Sequence, residues 1–424
     1  MVEQPQQDAT GNPNPPGGAA GSPATRLPAQ PPKPPQSGLG IFPDDPPVTG
    51  AWLETDPVGD RQFCQVGDLS LESGETLPGV TLAYETWGQL NAARDNAVLI
   101  LHALTGDSHI KGETKPGHPT EGWWDELIGS GAPIDTDKYF VVAPNVLGGC
   151  MGSTGPASLA PDGNRWGSRF PFITIRDTVN AEIVLADALG IEQWTMVIGG
   201  SLGGMRALEW GVMYPERVSR LVTVATTAKT SADQIAWAHT QLVAIQSDPG
   251  WNGGEYYELG DGNGPHKGLS LARQIAQTTY RSAEEFDQRF GQGAQADEDP
   301  WRGGRYAMQS YLEHHGQKFV YRFDANSYKT ITEAFMAHDL GRGRGGVAAA
   351  LSTITADVLV IAVDTDRLCI PAQSEEIAAF VPHCRGIKTV RSSCGHDGFL
   401  IEFDQFGSLL ATFLQSPLES KTQS

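Results

Sequence analysis

The chain has 424 residues and 39% hydrophobic content, enough to bury the core of one α/β domain with an insertion. Its formal charge of −20 argues against nucleic acid or an anionic membrane as the main partner, since both are held by basic patches. Five cysteines (Cys64, Cys150, Cys369, Cys384 and Cys394), with no C-x-x-C and no metal-like pairing, predict reduced thiols, and the N-terminal "MVEQPQQDAT" lacks the parts of a secretory signal, so a cytoplasmic protein is expected.

In chain order, residues 1–47 are Pro-, Gly-, Ala- and Gln-rich and predict a disordered tail, including a "PPKPP" run. "VTLAYETWG" (Val80 to Gly88) alternates apolar and polar residues and predicts a half-buried strand. "NAVLILHALTG" and "KYFVVAPNVLGG" are apolar runs that predict strands buried on both faces. A helix follows, with Asp177 or Thr178 near its start and Gly190 at its C-cap. Next come a strand "QWTMVIGG", a helix "SLGGMRALEWGVMYPE" and a strand "VSRLVTVATTA". Between 231 and 345 the alternation gives way to four stretches with helical periodicity, predicting a helical insertion. Near the end, "ADVLVIAVDTD" and "IKTVRSS" predict strands, with helices over "PAQSEEIAAFV" and "DQFGSLLATFLQS". The expected organisation is a core in two parts, 48–230 and 346–416, split by the insertion and ending in a flexible 417–424. No stretch reaches the ~18 apolar residues of a membrane span. The alternation of strand and helix is that of a mostly parallel sheet with helices on both faces.

One corner carries the chemistry. Gly199-Gly200-Ser201-Leu202-Gly203 fits G-x-S-x-G between a predicted strand and a predicted helix, the context of a nucleophile elbow. Ser201 then projects alone at a helix N-terminus, where free N–H groups favour developing negative charge. Serine needs a base oriented by a third group, and in this architecture an acid and then a histidine follow it in the chain. His396, in "SSCGHDGF", is the expected base. Asp364 and Asp366 end the strand 30 or so residues earlier; Asp366 is preferred because it lies on the loop beyond the strand, while Asp364 can brace the turn. His102 and His109 fall near the expected rim, and His118 and the six remaining histidines fall outside the expected C-terminal loop. The oxyanion donors are assigned to the N–H groups of Leu202 and Leu104, with Ala103 and Thr105 as competitors for the second. His102 is expected beneath that loop as a structural group. These parts predict an α/β-hydrolase fold performing acyl transfer through an acyl-serine, to water or another nucleophile.

Seven collinear blocks, "LHALTGDSH", "APNVLGGCMGSTGPAS", "GGSLGGMRALEW", "GLSLARQIAQTTYRS", "RFDANSY", "AFMAHDLGRGRGG" and "CGHDGFLIE", resemble the homoserine O-acetyltransferase family. The resemblance implies ping-pong transfer of acetyl from acetyl-CoA, a co-substrate, to L-homoserine, an early step of methionine biosynthesis, with no tightly bound cofactor and no metal. It implies the triad Ser201, Asp366 and His396, a substrate-contacting Arg273 and an acidic contact at Asp397. An arginine fork suits the α-carboxylate of homoserine and a carboxylate suits its ammonium. Tyr280, two helical turns after Arg273, is expected to line the same pocket. The insertion is expected to form a lid and to pair two subunits as a homodimer. Three departures stand out: the Pro-rich N-terminus, Arg206 where many members carry glutamine, and the acidic, Gly-rich "SDPGWNGGEYYELGDGNGPH". The last two leave a succinyl donor, or serine as acceptor, as alternatives, with a plain esterase as the rival activity.

Overall fold

Period-two alternation within continuously apolar strands explains how the sheet comes to lie inside the molecule. The strands of the main sheet are β1 (Gln62–Ser70), β2 (Thr76–Trp87), β3 (Ala97–Leu101), β4 (Phe140–Pro144), β5 (Met196–Gly200), β6 (Arg220–Val224), β7 (Asp357–Val363) and β8 (Cys384–Val390). They form one eight-stranded sheet in the order β1-β2-β4-β3-β5-β6-β7-β8, in which β2 runs antiparallel to both neighbours and the remaining pairs are parallel. Leu99 pairs with Val142 and Val197, Val197 with Leu221, and Leu221 with Val358. All five belong to one apolar cluster, together with Val179 and Leu185 of helix α1 (Ile175–Ala188) and Met205 and Leu208 of α2 (Leu202–Met213). Their sequence neighbours Val98, Val141, Ile198, Val222 and Leu359 point the other way, into a second cluster closed by Phe406, Leu410 and Phe413 of the C-terminal helix. Side chains alternate across a strand, so a run without polar interruption fills two cores at once.

The structure, a computed structural model, describes Phe42 and residues 44–418. Most of the expected tail, with its "PPKPP" run, and most of the expected flexible C-terminus lie outside the described residues. Residues 46 and 47, assigned to the tail from composition, instead contact the acidic segment: Gly262 N–H donates to the Pro46 carbonyl at 2.8 Å, and the His266 ring bonds the Pro47 carbonyl at 2.9 Å. Thr174 caps α1 in a reciprocal box with Asp177, and Gly190 (φ 69°) follows its end. Expected to be half-buried, β2 has Leu82, Ala83, Tyr84 and Glu85 all buried, because both faces are covered there.

Between β6 and β7 the chain forms α3 (Ala232–Gln246), α4 (His266–Tyr280), α5 (Ala283–Arg289), α6 (Ala307–Val320), α7 (Ala325–Met336) and α8 (Val347–Leu351). The stretch "LSLARQIAQTTYRSAEEFDQRF", expected as continuous helix, breaks at Arg281–Ser282. Ser282 is the N-cap of α5, its Oγ accepting the Glu285 N–H at 3.0 Å. Serine followed three residues on by glutamate is a capping signal, so the break was written in the sequence.

Candidate active site

Ser201 joins β5 to α2 with φ 56° and ψ −124°, a region that residues other than glycine rarely occupy. Four hydrogen bonds hold it there: Ser201 N–H to the Val224 carbonyl at 2.9 Å, and the Ser201 carbonyl receiving Gly204 N–H at 2.9 Å, Met205 N–H at 3.2 Å and the Thr226 hydroxyl at 2.7 Å. The strain therefore sits on the serine, and the flanking glycines serve close approach. A Cβ at Gly203 would stand 2.0 Å from the Leu101 carbonyl oxygen, and one at Gly199 would stand 2.1 Å from that of Gly203. Gly200 and Gly204 make room for the Phe399 ring and the Thr226 side chain.

His396 lies on the loop after β8, its Nδ1 2.7 Å from Asp366 Oδ2. The other Asp366 oxygen accepts N–H groups from Leu368 and Cys369 at 2.8 and 2.9 Å, which fixes the carboxylate and leaves Nε2 as the ring nitrogen for the serine. Asp364 instead accepts the Ser392 N–H at 3.0 Å and braces the loop, so geometry separates the two acids. Burial disfavours the imidazolium of His396, yet the Asp366 charge and hydrogen bond, with Asp397 adding to them, raise its pKa above the ordinary histidine value. Ser201 and His396 line one cavity of about 120 Å³.

Ala103, Leu104 and Thr105 also line that cavity. Gly106 N–H closes a turn onto the Ala103 carbonyl at 2.9 Å, a bond that uses neither Leu104 nor Thr105 N–H. Leu202 opens α2, so its N–H lacks an intrahelical acceptor. The tight contact of Gly203 with Leu101 brings these two segments together. His102 lies beneath the loop: Nδ1 bonds the Ala103 carbonyl at 2.7 Å and Nε2 accepts Val146 N–H at 3.0 Å. Burial, aided by Arg206, lowers its pKa to about 3, so it stays neutral. A second brace was not foreseen: Arg322 donates to the Thr105 carbonyl at 2.7 Å and to Asp107 Oδ2 at 2.8 Å.

Arg273, Tyr280 and Asp397 line the cavity as well. The Arg273 guanidinium lies 5.2 Å from the Tyr280 ring centre and 5.3 Å from that of Phe319. Among the described residues it makes no salt bridge. Asp397 does have a partner that sequence reasoning missed, with Arg281 Nε at 3.0 Å from its Oδ2. The contact is an ion pair without good hydrogen-bond alignment, since that Nε–H finds no acceptor in line. Burial raises the Asp397 pKa above the ordinary carboxylate value, against the opposing pull of Arg281, Arg273 and His396.

A cluster of ligand-type groups, unforeseen because its members are scattered in the chain, lies away from this cavity. Asp60, Glu85, His109 and His118 bring their donor atoms within 4.8 Å of one another. His109 Nδ1 meets Glu85 Oε2 at 2.9 Å, and His118 Nε2 accepts the Asp60 N–H at 2.8 Å. The two imidazoles stack 3.9 Å apart, tilted by 17°. A metal binds imidazole nitrogen along its lone pair, in the ring plane, and two nearly parallel planes this far apart share no nearby point. As arranged, the cluster is a hydrogen-bonded brace, buried except at Asp60, in which the two rings cannot chelate one ion.

Residues 96–403 match the α/β hydrolase fold family. The chain is 57% identical over 369 residues to a homoserine O-acetyltransferase of Thermobifida fusca, covering 87% of this chain and 97% of that one. The chain belongs to the homoserine O-acetyltransferase family. A solved homoserine O-acetyltransferase from Bacillus anthracis superposes with a TM-score of 0.78 at 28% identity, covering 85% of this chain and 98% of that chain. The structure of esterase E22 does so with 0.77 at 26% identity, covering 84% and 99%.

Two of the departures from this homoserine O-acetyltransferase family pattern, Arg206 and the acidic segment, contribute no residue to the cavity lining. Arg206 is fully buried and pairs with Glu182, Nε to Oε1 at 2.8 Å, while Trp210 donates to the other oxygen at 2.7 Å. It ties α2 to α1 and does not line the cavity. In the acidic segment, Tyr256 and Tyr257 donate to Asp324 at 2.7 and 3.0 Å, fastening the segment to the start of α7.

Proposed function

We propose that this chain transfers an acetyl group from acetyl-CoA to the side-chain hydroxyl of L-homoserine, giving O-acetyl-L-homoserine through an acetyl-Ser201 intermediate. Ser201 Oγ attacks the thioester carbonyl carbon while His396 Nε2 takes its proton and Asp366 stabilises the imidazolium. The Leu104 and Leu202 N–H groups receive the oxyanion. The carbon–sulfur bond then breaks, and the CoA thiolate leaves with the proton from His396. In the second half His396 takes the proton of the homoserine hydroxyl, whose oxygen attacks the acetyl ester, and returns it to Ser201 as the ester breaks.

The observation that carries the reading is the pairing, inside the serine's cavity, of an Arg273 guanidinium without a carboxylate partner and an Asp397 carboxylate beside the base. These are complementary to an α-carboxylate and an α-ammonium on a short chain. Identity of 57% to a homoserine O-acetyltransferase supports the same assignment. The structural likeness to an esterase favours a second reading, hydrolysis of acyl esters. A CoA-release assay crossing acetyl-CoA and succinyl-CoA with homoserine, serine and no acceptor decides. Fast release only with acetyl-CoA plus homoserine is expected; equal release without homoserine refutes the transferase, and faster turnover with succinyl-CoA refutes the donor.

We further propose that the protein is a cytoplasmic homodimer joined through the insertion. Exposed Ile235, Val243, Trp301 and Tyr306 support the interface, and five free cysteines suit a reducing compartment. Among the described residues no helix is long and apolar enough to cross a membrane.

A further inference from the structure

We propose that Arg281 is a positioning residue for the acceptor half of the reaction, holding the Asp397 carboxylate in place beside His396 and favouring its charged form. The proposal deepens the function proposed above and rests on it.

The break between α4 and α5 is pressed directly against the loop that carries His396 and Asp397. Gly395 adopts φ +68°, and a Cβ there would stand 2.7 Å from Ser282 N and 2.9 Å from both Arg281 C and Tyr280 O. The Ser282 hydroxyl also donates to the Ser393 carbonyl. Only a glycine permits this backbone approach, and the approach brings Arg281 Nε to 3.0 Å from Asp397 Oδ2. Arg281 Nη1 in turn bonds Glu285 Oε1 at 3.2 Å, which keeps the guanidinium across the break. Arg281 and Asp397 side chains are each only 16% exposed, so water screens the pair weakly.

The charged and titratable groups around Asp397 are few. Arg273 and Tyr280 come from α4, Arg281 from its end, Glu285 from α5, and His396 from its own loop with Asp366 behind it. Burial works against the Asp397 charge, Glu285 adds to that, and Arg281 is the foremost group opposing both. Among the described residues Arg281 is the one arginine in ion-pair contact with Asp397. Labour is therefore divided: Arg273 remains open for the substrate carboxylate, and Arg281 maintains the charge that receives the ammonium. A protonated Asp397 loses that attraction, and acceptor binding weakens while acylation of Ser201 proceeds.

The test compares the full-length protein with Arg281→Gln and Arg281→Lys. Acylation alone is read from the p-nitrophenol burst with p-nitrophenyl acetate, and the acceptor half from kcat and KM for homoserine as a function of pH. For Arg281→Gln the burst stays within about twofold, KM for homoserine rises about tenfold, and the acid limb of kcat/KM moves to higher pH. Arg281→Lys restores most of both. An unchanged KM and acid limb overturns the proposal. So does a parallel fall of burst and turnover with no pH shift and no rescue by lysine, which marks a merely structural role. A wild-type protein that gives the burst but no homoserine-dependent turnover overturns the proposed function instead, before any variant is compared.

Discussion

Asp366→Asn isolates what the acid does, because the substitution keeps the fold of its loop. The asparagine carbonyl oxygen can still accept the Leu368 and Cys369 N–H groups, now at 2.8 and 2.9 Å from Asp366 Oδ1. The amide NH₂ then replaces the oxygen 2.7 Å from His396 Nδ1, turning an acceptor into a donor. His396 must present a lone pair at Nδ1 and carry its proton on Nε2, the wrong tautomer to accept the Ser201 proton. The charge that stabilised the imidazolium is also gone. Loss of this pairing costs about 10⁴ in kcat in the serine-protease template, or about 5.4 kcal/mol of barrier. The acid limb of kcat/KM moves as well. In the native protein Asp366 and Asp397 outweigh burial and raise the His396 pKa, so with Asp366 neutral the limb shifts to lower pH. The burst of p-nitrophenol from p-nitrophenyl acetate over a pH range measures both effects. Asp364→Asn is the control: its carbonyl retains the bond now made to Ser392 N–H at 3.0 Å, and activity stays within a few-fold. If Asp366→Asn keeps acylation within tenfold while Asp364→Asn abolishes it, the assignment of the acid is wrong.

Gly203→Ala, which sets a Cβ 2.0 Å from the Leu101 carbonyl oxygen, forces β3 and α2 apart, costing roughly 1–3 kcal/mol in urea unfolding and most of the acylation rate. Arg206→Met leaves Glu182 buried without its cation and lowers stability by about 3–5 kcal/mol, with KM unchanged because Arg206 does not line the cavity. His102 and His338 both have pKa values lowered to about 3 by burial, so each stays neutral in the fold while the unfolded chain takes up protons below the ordinary histidine pKa of about 6.5. Their contribution is complete above that pH and falls by about 1.4 kcal/mol per histidine per pH unit below it; urea midpoints that stay flat from pH 6.5 to 5 contradict this.

Much of the site was readable because its parts obey local rules. The elbow joins a strand period to a helix period through glycines, and an acid and a histidine follow on the ends of later strands. Asp366 against Asp364 was readable only as a preference, since two residues of separation at a strand end decide which carboxylate faces the imidazole. β1 was missed although "LESGET" carries a turn signal between β1 and β2, because its apolar positions are sparse and its outer residues face solvent. The break at Arg281 was missed although Ser282 and Glu285 spell a cap, because helical periodicity on both sides masked it. Arg281 with Asp397, Arg322 with Asp107, and the stacked His109 and His118 join residues between 9 and 215 positions apart, and no periodicity reports such pairs.

The superpositions on a homoserine O-acetyltransferase and on an esterase give nearly the same TM-score, 0.78 and 0.77, so backbone shape does not separate transfer from hydrolysis. An acyl-serine reacts with whichever nucleophile is held in line, and positioning can supply about 7–11 kcal/mol of the barrier. Water needs no charged anchors; an amino acid with a free carboxylate and ammonium does. On the proposed function, the groups that favour one acceptor over the other are the fixed charges around the serine, Arg273 of α4 and Asp397 after the base. Both are joined at the α4–α5 break, where Gly395 lets the two backbones touch. The proposed acceptor specificity then depends on the docking of the helical insertion onto the His396 loop, and a change that loosens that contact raises hydrolysis relative to transfer without altering the triad.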